Sequence, residues 1–218
     1  MHIIAHRGYW LSHSQKNTKS AFERAFSNGI GIETDVRDYC KEVVISHGFP
    51  TGKEMRLNEL LEIRRHYQQK NNTLLPLALH LNSCGLGDPI SQILQDMCPA
   101  DKEIFCFGNP VADLNYCVHK KDPQLPMFTT ISDACPYAPF FDKTCGVWYD
   151  AYQTEINFER LHELLSSGKK VAVTSVEHFG KNHMPFWEKI KQTNVEKNSL
   201  FYLCTNFPNQ ALDFFDEV

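Results

Sequence analysis

The chain has 218 residues, of which 42% are hydrophobic, and its 22 Lys and Arg against 26 Asp and Glu give a net charge of -4. This length is enough for one large core, so we expect a single domain over residues 1–218. The acidic balance argues against a nucleic-acid partner, which needs a basic face, but a small anionic substrate needs only a local cationic site.

The sequence also predicts neither a transmembrane segment nor a signal for export. No apolar run approaches the roughly 18 residues that span a bilayer, and the first residues lack the apolar core of a signal peptide. We therefore expect no transmembrane segment and a cytoplasmic location, with reduced cysteines that mostly fill the core. The eight cysteines show no CxxC spacing and are Cys40, Cys84, Cys98, Cys106, Cys117, Cys135, Cys145 and Cys204.

Short β-rich runs alternate with helical patterns along the whole chain. An additional run, "VVISH", follows "GIETDV" with no helix between them and is interpreted as an extension of the second β unit. Eight βα units in a chain of this size predict an α/β fold, the TIM (β/α)8 barrel, in a single domain. The eight runs are "HIIAH", "GIETDV", "LPLALHL", "EIFCF", "PMFTTI", "CGVWYD", "KKVAVTSV" and "SLFYLCT".

Helix boundaries are predicted from capping residues. Asp88 and Asn109 each precede a proline, which predicts an N-cap side chain followed by proline at the first helical position. Gly29 and Gly168 predict helix stops. The amphipathic faces are Ala21, Phe22, Ala25 and Phe26; Leu60, Leu61, Arg64 and Tyr67; and Leu161, Leu164 and Leu165.

Polar residues stand at the ends of the first two strands. His6 and Arg7 close the first run, and Glu33 and Asp35 lie two apart in the second, so strand alternation points both carboxylates to one side. If that side is the barrel interior, the two charges need a cation, and a divalent metal is the simplest one. A strand that turns both residues to solvent is the alternative.

The next two runs continue this pattern. His47 ends "VVISH", and His80 and Asn82 lie two apart inside an aliphatic run. A lone histidine in such a run is more often a packed core residue than a ligand. Here, however, the polar residues at the ends of several strands are expected to meet at the C-terminal rim of the barrel, where TIM barrels carry their active sites.

The order and spacing of these motifs resemble the glycerophosphodiester phosphodiesterase family, a branch of the phosphatidylinositol-phospholipase-like TIM barrels. That family opens with a strand ending His-Arg-Gly, then a Pro-Glu-Asn-Thr segment and a helix with an Ala-Phe pair, and continues with a Glu-x-Asp strand and a His-Asp pair. The matching stretches are "AHRG", "QKNTKSAFERAFSNG" and "IETDVRDYCKEVVISHG", and "LCTNFPNQALDFF" is similar to the closing strand and last helix.

The resemblance implies a metal-dependent hydrolase of a small soluble phosphodiester, most simply a glycerophosphodiester. His6 and His47 would be the acid and base, Arg7 would hold the phosphate oxygens, and Glu33 and Asp35 would bind a divalent metal, Mg²⁺ or Ca²⁺ in the family. These roles make chemical sense, because a metal, a guanidinium and two imidazoles neutralise an anion and move its protons. The attacking oxygen is either a hydroxyl of the substrate or water.

Departures from the family lie at the third barrel strand and nearby. The family has Glu-x-Lys where this chain has His80 and Asn82, so we expect His80 to be a metal ligand that favours Mn²⁺ or Zn²⁺. Asn82 and Lys16 are the candidates for additional phosphate contacts, although Lys16 also fits an exposed loop lysine. Gly48 stands where the family has the aspartate that follows the second histidine. With these departures, the chain resembles a divergent member of the family.

Two other functions stay open. One is a barrel that binds a phosphate ligand with reduced catalysis, and the other is a metal-free, lyase-like diesterase. Both histidines at strand ends favour the active enzyme, because a barrel without turnover has no chemical reason to keep them. Residues at later strand ends are candidates for the leaving-group pocket: Trp148, Tyr149, Asp150, Glu177 and His178. Because side chains alternate along a strand, only one of each adjacent pair can point inward.

Overall fold

The structure, a computed structural model, describes residues 1–99, 101–120 and 125–216. It is an α/β barrel with its helices outside, as predicted. No helix among the described residues is long and apolar enough to cross a membrane. The strands are β1 (His2–His6), β2 (Gly31–Tyr39), β3 (Glu42–Ile45), β4 (Leu77–Leu81), β5 (Ile104–Phe107), β6 (Phe128–Ser132), β7 (Gly146–Asp150), β8 (Lys170–Thr174) and β9 (Phe201–Thr205). The helices are α1 (Lys19–Ser27), α2 (Leu57–Asn71), α3 (Gly87–Met97), α4 (Val111–His119), α5 (Phe158–Ser166), α6 (Met184–Gln192) and α7 (Pro208–Asp216).

Eight parallel strands form the barrel wall in the order β5-β4-β2-β1-β9-β8-β7-β6. The barrel closes between β5 and the start of β6 through a bridge of Cys106 with Met127, where the Cys106 N–H donates to the Pro126 carbonyl at 2.8 Å. β3 pairs antiparallel with β2 and makes an isolated bridge between Val44 and Arg56. The run "VVISH" therefore belongs to the second β unit, as predicted, and returns beside β2 outside the barrel wall.

The register of the first three barrel strands brings the polar strand ends together. His6 of β1 is level with Glu33 of β2, and Asp35 of β2 is level with His80 of β4. Because all three strands are parallel, their carboxyl ends meet at one rim. The strand-end residues of the sequence thus become neighbours in space.

Aromatic side chains fill the inside of the barrel. Phe105 stacks on Phe128 with ring centroids 3.9 Å apart, and Phe107 stacks on Trp148 at 3.7 Å. Apolar outer faces of the strands pack against the helices in two further clusters. The interior cluster consists of Ile4, Ala78, Phe105, Phe107, Phe128, Trp148, Ala172, Tyr202 and Cys204.

Two predicted helix starts are wrong, and the two stops are confirmed. α3 begins at Gly87, because Pro89 is tolerated in a first turn whose N–H groups have no partner within the helix. At α4 the extended residue before the helix is Pro110, so Asn109 lies one residue outside the cap. Gly29 and Gly168 follow α1 and α5 with positive φ of 73° and 79°.

All eight cysteines are free, but the expectation that most of them fill the core is wrong. Only Cys106, Cys117 and Cys204 are buried, whereas four are exposed. The exposed cysteines lie in turns and loops between strands and helices, which a single sequence does not distinguish from strand ends. They are Cys40, Cys84, Cys135 and Cys145.

Candidate active site

Asp35 is the point on which the predicted site residues converge. Its side chain is fully buried, and burial alone would raise its pKa. The hydrogen bond with His80 and the charge of Arg7 outweigh that effect and lower the pKa, so Asp35 is a carboxylate. Its neighbours are Arg7 Nε (2.7 Å from Oδ2), Asn17 Nδ2 (3.0 Å from Oδ2), and Asn82 Nδ2, His47 Nδ1 and His80 Nδ1 (2.7, 3.1 and 3.4 Å from Oδ1).

Glu33 is the second buried carboxyl group. Burial, and then the charge of Asp35, raise its pKa well above the ordinary value, and Arg7 only partly opposes this. The backbone N–H of Arg7 donates to Glu33 Oε2 at 3.2 Å. Glu33 therefore takes up a proton unless a cation neutralises it, which is the electrostatic condition expected of a metal ligand.

A divalent metal fits this donor set. Ligand atoms of Glu33, Asp35 and His80 all lie within 4.8 Å of one another, and two carboxylates with an imidazole are donors that divalent ions accept. The prediction that His80 shares a face with the carboxylates is thereby confirmed geometrically. Its role as a ligand stays a prediction.

The His-Arg-Gly stretch makes a sharp turn at the top of β1. Arg7 and Gly8 both have positive φ, of 56° and 83°. A Cβ on Gly8 would lie 2.9 Å from the Cβ of Ala21 on α1, so only glycine fits here. The turn folds Arg7 back over β2, where its N–H donates to the Glu33 carbonyl at 2.9 Å, and this places the guanidinium beside Asp35.

His6 is held by the residue that follows the neighbouring strand β9. Its Nδ1 lies 2.9 Å from Oδ1 of Asn206, the residue after β9, so Nδ1 carries the hydrogen and Nε2 the lone pair. Nε2 is 3.7 Å from Glu33 Oε2. Burial, and then the nearby imidazole of His178, lower the pKa of His6 well below its ordinary value. His6 is thus neutral, the form that accepts a proton.

His47 has a partner for each of its protonation states. Its Nδ1 lies 2.7 Å from Arg7 NH2, which donates to a neutral imidazole, and 3.1 Å from Asp35 Oδ1, which accepts from a protonated one. The side chain is 60% exposed. His47 thus lies at the edge of the site, in contact with both Arg7 and Asp35.

A cavity of about 530 Å³ opens beside these groups. His6, Arg7, Glu33 and His80 are among the lining residues, whereas the described residues Asp35, His47, Asn82 and Lys16 are not. The other lining residues are Phe107, Gly108, Asn109, Thr130, Trp148, Asp150, Tyr152, Thr174, His178, Phe179 and Cys204.

The cavity lining shows which of the later candidates face inward. Trp148 and Asp150 line the cavity, while Tyr149 between them packs in the outer core. Asp150 Oδ1 accepts from the Trp148 Nε1–H at 3.0 Å. His178 lines the cavity, whereas the neighbouring Glu177 accepts from the Thr205 hydroxyl.

Lys16 lies near the site without touching its carboxylates. Its Nζ is 4.5 Å from the centroid of the Trp10 ring, and the Trp10 Nε1–H donates to the carbonyl of His6 at 3.0 Å. Burial, and then the charge of Arg7, lower the pKa of Lys16. The phosphate contact of Lys16 stays a prediction.

Two asparagines complete the site and were not assigned by sequence reasoning. Asn17 donates to Asp35 and accepts from the Thr34 hydroxyl at 2.8 Å, and Asn206 holds His6. For Asn17 a signal existed, because "QKNT" matches the asparagine of the Pro-Glu-Asn-Thr segment. Asn206 contacts His6 across 200 positions of sequence, which no local pattern reveals.

Comparison with known proteins gives similarity of structure alone. No family model matches the sequence, and no curated protein matches it significantly. A phosphodiesterase from Oleispira antarctica, in complex with the product sn-glycerol-3-phosphate, is 16% identical with a TM-score of 0.70, over 100% of this chain and 97% of that one. A candidate glycerophosphodiester phosphodiesterase from Galdieria sulphuraria is 18% identical with a TM-score of 0.71, over 99% and 98%.

A third structure agrees with these two. A glycerophosphoryl diester phosphodiesterase from Parabacteroides distasonis is 14% identical with a TM-score of 0.72, over 99% of this chain and 86% of that one. At such identities the likeness is one of fold. The chain therefore has the fold of the glycerophosphodiester phosphodiesterases, which confirms at the level of architecture the resemblance that its first third predicts.

Proposed function

We propose that this chain, as one domain over residues 1–218, is a metal-dependent phosphodiesterase that hydrolyses a small phosphodiester. One observation carries the proposal: two buried carboxyl groups, Glu33 and Asp35, are grouped with Arg7 and His80, and Glu33, Arg7 and His80 line a cavity of about 530 Å³. A glycerophosphodiester is the proposed substrate class. The sn-glycerol-3-phosphate product of the Oleispira enzyme supports this choice, because that protein shares the fold.

Glu33, Asp35 and His80 are the residues that would hold the metal. When bound, a divalent ion would neutralise the negative charge of the phosphate oxygens and polarise the phosphorus centre. The imidazole of His80 suits Mn²⁺ or Zn²⁺, whereas the family resemblance favours Mg²⁺ or Ca²⁺. The raised pKa of Glu33 supports a bound cation, since a cation would keep this buried group ionised.

Arg7 is the proposed phosphate anchor. Its guanidinium lies between Asp35 and His47, and Arg7 lines the cavity. Lys16 is proposed to add a second positive charge from the rim. Asn82 was predicted to contact phosphate directly, but its amide donates to Asp35 at 2.7 Å, so we propose that its role is to hold that carboxylate in place.

His6 and His47 are proposed to move the protons. Neutral His6 takes the proton from the attacking hydroxyl at Nε2, a phosphorus–oxygen bond forms, and the bond to the leaving alcohol breaks. Protonated His47 gives its proton to the departing oxygen, so each histidine changes state once. The attacking oxygen belongs to water or to a hydroxyl of the substrate, in which case the first product is a cyclic phosphate.

A phosphate-binding barrel with reduced catalysis is the second candidate. It is favoured by the crowding of Asp35, whose two oxygens already meet five side chains. A metal would have to share that carboxylate with Arg7. The eight free cysteines support a reducing, cytoplasmic location for either function.

The experiment is hydrolysis of a panel of phosphodiesters by the purified protein. Each diester is tested with chelator and after chelation with Mg²⁺, Ca²⁺, Mn²⁺ or Zn²⁺ restored. We expect turnover of glycerophosphodiesters that chelator abolishes and one of the metals restores. Turnover that survives chelation would instead support the metal-free diesterase, and binding without turnover would support the second candidate.

A further inference from the structure

His178 lies directly against the proposed catalytic base. It belongs to the short helical turn Val176–Phe179 that follows β8. Its ring centroid is 4.0 Å from that of His6, with the planes at 66°. His178 also lines the cavity. A second imidazole therefore faces the same space as His6.

The backbone around His178 is fixed by its neighbour. Glu177 Oε1 accepts from the Thr205 hydroxyl at 2.5 Å and from the Asn206 N–H at 2.9 Å. Asn206 in turn holds His6. The turn that carries His178 is thus tied to the segment that orients His6, so the two imidazoles keep their relative positions.

The Nε2 atom of His178 is buried and has no hydrogen-bond partner among the described residues. Leaving a buried polar atom unpaired is costly, and such an atom calls for an explanation such as a functional role or a bound partner. Burial lowers the pKa of His178 to about 4. The ring is therefore neutral near pH 7 and offers one N–H.

His47 differs in each of these respects. It is 60% exposed, its Nδ1 is engaged by Arg7 and Asp35, and it lies outside the cavity wall. Of these two histidines, only His178 lines the cavity in the conformation that the structure shows.

We propose that His178 is a substrate-contacting residue whose Nε2–H donates a hydrogen bond to an oxygen of the bound phosphate group, beside His6. The assignment rests on the proposed function for the identity of the ligand. Arg7 and His178 would then hold the phosphate from two sides, one with charge and the other with a neutral donor. His47 keeps its role in proton transfer.

The test compares two substitutions that separate the effect of the donor nitrogen from the effect of the aromatic ring on binding. His178→Gln keeps a donor near the Nε2 position, and His178→Phe keeps the aromatic ring without it. His183→Phe is the matched control, because His183 Nε2 is also buried and unpaired among the described residues but its ring packs on Trp187 at 4.3 Å, away from the cavity.

Affinity for sn-glycerol-3-phosphate is measured by calorimetry, so the readout does not depend on turnover. We expect His178→Phe to weaken binding by roughly tenfold, the effect of one hydrogen bond, and His178→Gln and His183→Phe to stay within about threefold of wild type. Unchanged binding in His178→Phe overturns the proposal, as does the reverse order of the two His178 variants, which a packing role predicts.

A second measurement covers a His178→Phe protein that does not fold. In wild type, titration with sn-glycerol-3-phosphate should shift the ¹⁵N resonance of His178 Nε2, and an unmoved resonance at saturation, or no binding at all, overturns the proposal. Failure of the proposed function is a separate result: wild type would bind the phosphate with this shift and yet hydrolyse no phosphodiester.

Discussion

Asn82 directs its amide nitrogen at Asp35, with Nδ2 2.7 Å from Oδ1. Asn82→Ala removes one donor from a buried carboxylate, so we expect the free energy of unfolding to fall by about 1–3 kcal/mol. Affinity for sn-glycerol-3-phosphate should change little. Chemical denaturation and calorimetry on the same protein decide: a large loss of affinity at unchanged stability would support a direct phosphate contact.

Substitution of either proposed catalytic histidine should lower activity while the protein stays folded. His6→Ala and His47→Ala are each expected to lower kcat by on the order of a hundredfold or more, because a positioned proton donor or acceptor is lost. Steady-state kinetics measure the effect, and circular dichroism checks that each variant is folded. A variant that keeps wild-type turnover would remove that histidine from the mechanism.

His80 should set the metal preference. We expect the apo-protein to bind Mn²⁺ or Zn²⁺ more tightly than Ca²⁺, because imidazole suits these ions. His80→Glu should shift the preference towards Mg²⁺ or Ca²⁺, since a third carboxylate gives an all-oxygen site. Calorimetric metal titration of both proteins is the measurement.

The alternative for His80 is a packing role against Phe107, on which its ring stacks with centroids 4.7 Å apart. In that case His80→Glu would place an unpaired charge beside the aromatic interior and destabilise the barrel. A well-folded His80→Glu protein with an unchanged metal preference would leave a site built on Glu33 and Asp35 alone.

Asp133 should control the order of the loop that carries Tyr152. Its carboxylate accepts from the N–H groups of Tyr152, Gln153 and Thr154 at 3.1, 2.7 and 2.8 Å. The bonds from Thr154 and then Gln153 lower the pKa of Asp133 from 3.8 to about 2. A lowered pKa means that the stabilisation is complete above pH 3.8 and is lost as the pH falls through about 2.

Hydrogen exchange of these amides is the measurement. At neutral pH, Asp133→Asn should reduce the protection factors of residues 152–154 relative to wild type, with no comparable change in α5. Well below pH 2 the two proteins should converge, because Asp133 is then largely protonated in wild type. Equal protection at neutral pH would show that the carboxylate does not hold the loop.

The barrel and the polar rim with the candidate site are predictable from sequence because both depend on short-range patterns. Alternation places Glu33 and Asp35 on one side of β2, and parallel strands bring their ends to one rim, so the grouping around Asp35 follows from chain order alone. The helix starts at Asp88 and Asn109 were wrong because proline is compatible with several positions in a first turn.

Contacts between distant strand ends are not predictable in this way. Asn206 reaches His6, and His178 packs on the same ring, only because the fold pairs β9 with β1 and β8 with β9. Asn82 shows a related limit. Its face was predicted, but whether its amide meets phosphate or a carboxylate depends on the burial of Asp35, which the pattern of one strand does not specify.

The most direct test of the central claim is a ³¹P NMR time course of a glycerophosphodiester with metal-loaded wild type. We predict that the diester resonance declines while that of a phosphate monoester grows, and that His6→Ala or chelator stops this change. A transient cyclic-phosphate resonance would identify a substrate hydroxyl as the attacking group. A diester resonance that persists unchanged with each of Mg²⁺, Ca²⁺, Mn²⁺ and Zn²⁺, although the protein binds the compound, would contradict the account.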